Sequence, residues 1–303
     1  MSMSSNPVFP LGKRITGRWN KIEYTVERGL GEGANGKVYL VRRGQERLAM
    51  KVGSDTLDLQ SEVNTLKVLS GMEGSFRRFL VDVDDAEEEG QAIPFYVMRF
   101  VEGQQLQKYL SLKGAAWFPL IGLRLLEKLA ELHRTGYIFG DLKKENVLVS
   151  GYGMVELVDF GGVTPIGKAV KQFTEIYDRC YWNAGDRSAD AAYDLFSFAV
   201  LCIHVCGGPK EAFSREILPQ NRSIDELLSQ AAADPGCAEF LPFLKKALRG
   251  SYTGSGEALE DWRRLVRTRK GTQTAVRPAK DTWIKVGFAA SLLLFAATVW
   301  YYW

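Results

Sequence analysis

Two short stretches hold the side chains best suited to chemistry. The first contains Asp141, Lys143 and Asn146, and the second begins at Asp159, thirteen residues after Asn146. Asp141 could orient a hydroxyl group and accept its proton, while Lys143 could neutralise charge on a transferring phosphoryl group. Asn146 and Asp159 offer the oxygen ligands that Mg²⁺ prefers. The spacing therefore predicts phosphoryl transfer, with Asp141 and Lys143 as catalytic residues and Asn146 and Asp159 as metal ligands.

A glycine-rich stretch near the amino end could hold the phosphate donor. Gly31, Gly33 and Gly36 would let the backbone approach a polyphosphate and leave amide groups free to contact it. A predicted strand follows these glycines, whereas a dinucleotide-binding loop opens a helix, so that alternative is disfavoured. By itself the pattern also suits a plain hairpin turn.

A lysine lies at the end of an apolar strand downstream of the glycines. Lys51 follows Gly36 by fifteen residues and could reach the α- and β-phosphates of a nucleotide if a carboxylate oriented it. Glu62 is the predicted partner, and Asp58 is the second candidate. Both lie on a stretch with helical spacing of apolar residues.

The elements that must position these residues follow from hydrophobic periodicity. Strands are predicted over 24–28, 37–41, 47–52, 93–101, 146–149 and 155–158, and helices over 57–69, 120–132 and 193–205. We therefore expect an α+β fold, in which a β-rich lobe ends near residue 101 and a helical lobe follows.

Composition limits the number of domains and the redox compartment. The 303 residues are 46% hydrophobic and 25% charged, which excludes a disordered chain and suits one two-lobed domain of about 240–260 residues or two smaller ones. The four cysteines form no disulfide or Cys-x-x-Cys framework, so a reducing compartment is expected.

The carboxyl end differs in charge from the rest of the chain. Residues 262–303 hold 8 of the 39 basic and 1 of the 36 acidic side chains, leaving 31 basic and 35 acidic before them. Residues 286–303 hold no charged side chain and would extend about 27 Å as a helix, close to a bilayer's hydrocarbon thickness. A transmembrane helix is therefore predicted at 286–303, with a buried core helix as the alternative.

The residues before this apolar stretch suggest an orientation. A basic juxtamembrane linker is predicted at 267–285, flexible over 267–282, and its positive charge places the preceding domain in the cytoplasm. We expect a single-pass protein of the cell membrane whose linker contacts anionic lipid. An alternative is that residues 263–285 bind DNA or another polyanion.

In order and spacing, the glycine loop, Lys51, Glu62, the Asp141–Asn146 loop and Asp159-Phe160-Gly161 resemble the eukaryotic-type (Hanks-type) serine/threonine protein kinases. The resemblance covers about residues 22–266, after an extension at 1–21, and implies a bilobal kinase-like fold. It also implies ATP and Mg²⁺ as cofactors, with Mn²⁺ as an alternative ion, and protein substrates.

The resemblance assigns further residues around the nucleotide. It places Met98 at the gatekeeper position, residues 99–101 at the hinge that contacts adenine, and Val38, Ala49 and Leu148 around the base. It also implies a hydrophobic stack of Leu66, Phe139 and Phe160 that joins the lobes and is anchored by Asp194. Separately, it implies that Thr174 is the threonine beside the catalytic aspartate.

Several positions depart from the family pattern. The His-Arg that precedes the catalytic aspartate is Phe139-Gly140 here, so no arginine is available to pair with a phosphorylated activation segment. The Ala-Pro-Glu motif aligns with Arg179-Cys180-Tyr181, and Lys144 replaces a proline. The Gly140-Asp141 pair keeps an atypical small-molecule kinase as an alternative. A kinase-fold scaffold, or one that binds nucleic acid, and a homodimer are further hypotheses.

Overall fold

The computed structural model describes residues 9–33, 36–53, 55–88, 90–207 and 218–274, together with Ser291, Thr298 and Trp300. The chain divides after Trp262 into two units. The first unit contains two lobes, one built around a sheet and one built from helices. This is the bilobal α+β arrangement that the periodicity predicts.

The amino-terminal lobe is a six-stranded antiparallel sheet with the order β1-β2-β3-β4-β6-β5. Its strands are β1 (Arg14–Thr16), β2 (Glu23–Gly33), β3 (Gly36–Arg43), β4 (Glu46–Val52), β5 (Leu80–Glu88) and β6 (Gln91–Arg99). Alternate apolar side chains bury one face, where Tyr24, Val41, Met50 and Phe95 have almost no exposed surface. Helix α1 (Thr56–Gly71) follows β4 and is capped by the Asp55 carboxylate, which accepts from the amides of Leu57 and Asp58.

Residues 9–20, within the predicted extension, pack onto this lobe. The strand β1 pairs with β2, and the amide of Arg18 donates to the carbonyl of Asp85 on β5 at 2.8 Å. The buried Asp84 carboxylate accepts from the amides of Trp19 and Asn20 at 2.9 and 2.8 Å. These contacts join residues 18–20 to β5, the edge strand opposite β1.

The carboxyl-terminal lobe contains helices and short strands. The helices are α2 (Leu106–Lys113), α3 (Phe118–Arg134), α4 (Ala191–Cys206), α5 (Ile224–Ala233), α6 (Pro235–Ala238), α7 (Leu241–Leu248) and α8 (Ser255–Thr274). The strands are β7 (Gln104–Gln105), β8 (Tyr137–Ile138), β9 (Val147–Val149), β10 (Val155–Leu157) and β11 (Thr164–Pro165). Both α3 and α4 span the helices predicted for those regions.

An aromatic cluster forms the centre of the helical lobe. The indole of Trp262 is fully buried, stacks on Phe240 at 5.0 Å between ring centroids and meets Phe243 and Phe198 edge-on. Its Nε1 donates to the carbonyl of Pro119 at 2.9 Å. The cluster ties α3, α4, α7 and α8 into one core, so the elements that carry the catalytic loop have a rigid base.

The carboxyl-terminal predictions meet the structure only in part. Helix α8 continues to Thr274, so residues 267–274 are helical where a flexible linker was expected, because a helix already formed from Ser255 onward extends at little cost. Among the described residues, no helix has the length and apolar character needed to cross a bilayer. Of the predicted transmembrane stretch 286–303, only Ser291, Thr298 and Trp300 are described, and that prediction stays untested.

Candidate active site

A buried lysine joins the sheet, α1 and the segment after β10. The Nζ atom of Lys51 lies 2.7 Å from Glu62 Oε2 and 2.9 Å from Asp159 Oδ1. The second oxygen of Glu62 accepts from the Tyr96 hydroxyl at 2.8 Å and from the Phe160 amide at 3.2 Å. Glu62 is therefore the partner of Lys51, whereas Asp58, the second candidate, is exposed.

The register of the sheet explains why Lys51 points into this site. Lys51 lies on β4 directly between Val38 on β3 and Tyr96 on β6, and two residues earlier Ala49 lies opposite Met98. Residues two apart on a strand share a face. Lys51 and Ala49 are thus held on the same side of the sheet.

Burial and charge oppose each other in this triad. Burial alone would lower the pKa of Lys51, but the carboxylates of Glu62 and Asp159 have the larger combined effect and raise it. Burial also works against the Asp159 carboxylate, and the Lys51 ammonium overcomes it, so the pKa of Asp159 is lowered. Burial raises the pKa of Glu62 against the opposing effect of Lys51. Lys51 and Asp159 therefore keep their charges at neutral pH.

The predicted catalytic loop forms a second polar cluster around Asp141. Its Oδ2 lies 2.6 Å from Lys143 Nζ, and its Oδ1 accepts from the Thr174 hydroxyl at 2.8 Å. Lys143 Nζ also donates to Thr174 Oγ1 at 3.2 Å. Asn146 Nδ2 donates to the Asp141 carbonyl at 2.9 Å. Asp141 is thus held by side chains from the loop itself and from the segment that contains Thr174.

A buried carboxylate on α4 holds the backbone of this loop. Asp194 has no exposed surface, and its two oxygens accept from the amides of Phe139 and Gly140 at 2.7 and 2.9 Å. His133 Nε2 lies 2.9 Å from the same carboxylate. Because a buried carboxylate is costly unless it is hydrogen-bonded, these contacts fix both Asp194 and the loop.

The predicted hydrophobic stack is present between the lobes. Phe160 meets Phe139 at 6.1 Å and Phe79 at 4.8 Å between ring centroids, and Leu66 is fully buried. Asp159, just before Phe160, has a positive φ of 65°, a conformation that costs a non-glycine residue of order 1 kcal/mol or more and is concentrated at functional sites.

A cleft of about 930 Å³ runs between the lobes and brings most of the predicted site residues together. Its walls include the predicted residues Gly31, Gly33, Gly36, Val38, Ala49, Lys51, Met98, Asp141, Lys143, Asn146, Leu148 and Asp159. Glu62 lies behind Lys51. The volume suits a nucleotide-sized ligand. Residues 34–35 of the glycine loop lie outside the described part of the chain.

Oxygen atoms at one end of this cleft fit a magnesium ion. The Asp159 side chain is 44% exposed although one oxygen contacts Lys51. Because Asn146 Nδ2 is engaged with Asp141, the amide oxygen is the atom of Asn146 left to bind a metal. A carboxylate and an amide oxygen are hard ligands of the kind that Mg²⁺ and Mn²⁺ accept.

The chain matches known proteins over most of its length. Residues 24–237 match the protein kinase domain family. That match covers more than half of the chain. The chain belongs to the protein kinase family. The relatives that it matches show which kind of protein kinase it is.

The curated relatives are serine/threonine-protein kinases, and the first of them shows that this chain is a serine/threonine protein kinase too. It is 37% identical over 254 residues to serine/threonine-protein kinase YabT of Bacillus subtilis (strain 168), covering 82% of this chain and 73% of the relative. It is 33% identical over 144 residues to PknL of Mycobacterium tuberculosis, covering 43% of this chain and 35% of that relative. A match to SMU1 of Mycosarcoma maydis is 25% identical over 187 residues, covering 59% of this chain and 25% of that relative.

The kinase lacks the family's Ala-Pro-Glu motif, and ion pairs take its place. Arg179, at the Ala-Pro-Glu position, is buried and pairs with Asp190 at 2.8 Å and with Asp186 at 3.1 Å. Asp178 beside it pairs with Arg187 at 2.8 Å. A local ion-pair network therefore holds this segment in place of the family motif.

Sequence reasoning missed several residues that support the site. Tyr96 gave no signal because its partner Glu62 is 34 residues away. His133 is one of only two histidines in the chain, and this scarcity, together with its place at the end of a predicted helix, was a usable signal. The Arg179 network could have been suspected from the dense charge over 178–190.

Proposed function

We propose that this kinase transfers the γ-phosphoryl group of ATP to serine and threonine hydroxyls of protein substrates, with Asp141 as proton acceptor. The observation that carries the proposal is the closed Lys51–Glu62–Asp159 triad facing Asp141 across one cleft. Bound Mg²⁺ would supply charge neutralisation for the transferring group. The acceptor oxygen forms a bond to phosphorus as the bond to ADP breaks, and the hydroxyl proton passes to Asp141.

Each side of the cleft has a distinct role in this proposal. Asp159 and Asn146 hold Mg²⁺, and Lys51 binds the phosphates while Glu62 orients it. Lys143 lies beside Asp141 and stabilises negative charge on the transferring group. The amides of Gly31, Gly33 and Gly36 contact phosphate oxygens, and Val38, Ala49, Met98 and Leu148 surround the adenine.

Radiolabelled ATP with two acceptor classes tests the reaction. The full chain is incubated with casein and histone and, separately, with small hydroxyl compounds such as aminoglycosides. We expect label in protein, and a loss of about 10²-fold or more in Asp141→Asn because general base catalysis contributes that much. Asp225→Asn, at a side chain that is 78% exposed on α5, is the matched control.

The same assay distinguishes the alternatives. Label in the small compounds alone would support an atypical small-molecule kinase and overturn our proposal. No label in any acceptor or in the chain itself, while ATP still binds, would support a scaffold. Equal activity of Asp141→Asn and wild type would remove Asp141 from the mechanism.

We further propose that residues 286–303 anchor the kinase in the cell membrane as a single-pass helix, with the kinase domain in the cytoplasm. Support comes from the uncharged apolar stretch and from the basic residues that precede it. Deleting 286–303 should move the kinase from the membrane fraction to the soluble fraction. Retention of the shortened chain in membranes would count against this anchor.

The basic segment 263–285 is proposed to contact anionic lipid and, as a second candidate, DNA or another polyanion. Its eight basic side chains against one acidic side chain favour both. A chain truncated after Lys285 is applied to DNA and to phosphatidylserine vesicles at low and moderate salt. Absence of retention on DNA at low salt excludes the nucleic-acid candidate.

We also propose that two chains of this kinase associate. Two-dimensional anchoring raises local concentration and favours phosphorylation between chains. Wild-type kinase mixed with tagged Asp141→Asn should label the inactive chain at a rate that increases with concentration. Labelling of the wild-type chain alone would indicate that phosphorylation stays within one chain.

A further inference from the structure

A polar cluster that the transfer chemistry does not use lies beside the catalytic loop. Lys144 Nζ lies 3.2 Å from Nε2 of His204, and Nδ1 of the same ring lies 2.9 Å from the Tyr177 hydroxyl. The Tyr177 and His204 rings also stack, with centroids 5.8 Å apart. The cluster thus joins the catalytic loop, the segment after Thr174 and the end of α4.

The hydrogen-bonding capacities of these groups determine the protonation of the cluster. A lysine ammonium can only donate, so His204 Nε2 accepts and Nδ1 carries the proton that it donates to the Tyr177 oxygen. Burial raises the pKa of Tyr177, which keeps the phenol neutral. Lys144 is therefore held through Nζ by one neutral group, the His204 ring. The nearest carboxylate oxygen recorded for it, on Glu145, is more distant at 3.9 Å.

The position of Lys144 is suited to contact with a substrate chain. Lys144 follows Asp141 by three residues, and Tyr177 follows by three residues the Thr174 hydroxyl that contacts Asp141. The Tyr177 amide donates to the Thr174 carbonyl at 2.8 Å, so the cluster is tied to the residue that contacts Asp141. The three residues on either side of a hydroxyl bound at Asp141 extend about 10 Å from it, which makes this cluster a candidate contact for them. The Lys144 side chain is 28% exposed, which leaves it open to such a contact.

Two further lysines lie on the segment that leads to Thr174. Lys168 and Lys171 are exposed on the segment between Phe160 and Glu175, and Glu175 is the one acidic residue there beyond Asp159. The family resemblance leads one to expect a proline where Lys144 stands. This chain thus adds positive charge at the point where a substrate backbone must pass, and complementary charge gives selectivity.

We propose that Lys144 is a specificity-determining residue that selects protein substrates with a carboxylate side chain within three residues of the accepting hydroxyl. His204 and Tyr177 act as positioning residues for it. This inference rests on the proposed transfer to protein hydroxyls and names its substrate class.

A peptide series tests the proposal with the full chain in a nonionic detergent. Each peptide has one serine in an uncharged sequence, with glutamate or lysine placed in turn at the three positions on either side. The measured quantity is the ratio of kcat/KM for the glutamate peptide to that for the lysine peptide. We expect this ratio to be about fivefold or more for at least one of the six positions. A glutamate there attracts the partly exposed Lys144, whereas a lysine repels it.

Variants assign that ratio to Lys144. Lys144→Glu should reverse the preference, and Lys144→Gln should bring the ratio close to one. His204→Leu should lower the ratio because Lys144 loses the acceptor that holds it. Lys245→Glu, at an exposed position on α7, is the matched charge reversal and should leave the ratio as in wild type.

Each outcome is decisive. A wild-type ratio near one at every position, with label still entering the peptides, overturns the specificity inference and leaves the proposed function standing. An unchanged preference in Lys144→Glu also overturns it. Absence of label in every peptide and protein acceptor overturns the proposed function, and the inference with it.

Discussion

The Cα atom of Gly140 lies against the carbonyl oxygen of Gly162, and a side chain on Gly140 would overlap that oxygen. Gly140 also has a φ of +79°, which disfavours any residue with a Cβ. The family's arginine would occupy this position, immediately before Asp141. The close contact with Gly162 thus requires a glycine at the position where the family has an arginine that could pair with phosphate.

Gly140→Ala should both destabilise the protein and impair catalysis. The positive φ costs about 1–2 kcal/mol, and the overlap with Gly162 adds about 1–3 kcal/mol. Gly136→Ala is the control, since Gly136 has a similar φ of +87° but no atom within 4 Å of a Cβ there. The free energies of unfolding in urea of the two variants should therefore differ only by the cost of the overlap with Gly162. Equal destabilisation would show that the contact with Gly162 is unimportant.

Thr174 should matter for turnover more than for ATP binding. Its hydroxyl donates to Asp141 Oδ1 at 2.8 Å, and hydrogen bonds to charged groups are worth about 1.5–3 kcal/mol. Thr174→Ala should lower kcat by about tenfold to a hundredfold with little change in the KM for ATP.

The conservative variant Thr174→Ser keeps the hydroxyl and should recover most of this activity. Steady-state kinetics with casein at saturating ATP measures both variants. If serine were no better than alanine, the methyl group rather than the hydrogen bond would be the important part of Thr174.

The sequence predicted the parts of the site that local spacing encodes. Lys51 lies near the end of a short apolar strand, and Asp159 follows another. The predicted order of elements then brings them together. By contrast, β1 is too short for its periodicity to be detected. Trp19 and Asn20, which follow it, bond to Asp84 more than 60 positions away. Contacts of that range depend on tertiary packing, which a single sequence does not reveal.

Asp84 should make the stability of the amino-terminal lobe depend on pH. Although burial opposes its charge, backbone amides of Asn20 and Trp19 lower its pKa below the ordinary 3.8. A depressed carboxyl pKa stabilises the folded state above the unfolded value, and this contribution is lost as pH falls through the folded pKa.

Asp84→Asn should therefore cost about 1–3 kcal/mol at pH 7 because one backbone amide loses its acceptor. The difference from wild type should shrink below about pH 4. Thermal unfolding at several pH values measures it, with Asp85→Asn as the control because Asp85 accepts an exposed bond from the Trp19 indole. A pH-independent difference would mean that the charge of Asp84 contributes nothing.

Arg179 should be essential for the stability of the segment next to the substrate site. Its guanidinium donates to both oxygens of Asp190 at 2.8 and 2.9 Å and to the carbonyls of Asp186 and Ser188. A lysine has no planar fork to reproduce these bonds. Because the Asp190 side chain is 45% exposed, losing the fork costs less than breaking a fully buried pair, and Arg179→Lys, which keeps the charge, should cost about 1–2 kcal/mol.

The Arg179 network also supports the catalytic loop. Asp190 caps α4 by accepting from the Tyr193 amide, and α4 carries Asp194, which fixes the catalytic loop. Arg179→Lys should thus lower both the unfolding midpoint and kcat, whereas Arg249→Lys, at an exposed arginine 3.4 Å from Asp225, should change neither. A normal kcat with a lowered midpoint would confine Arg179 to stability, and normal values of both would show that the network is replaceable.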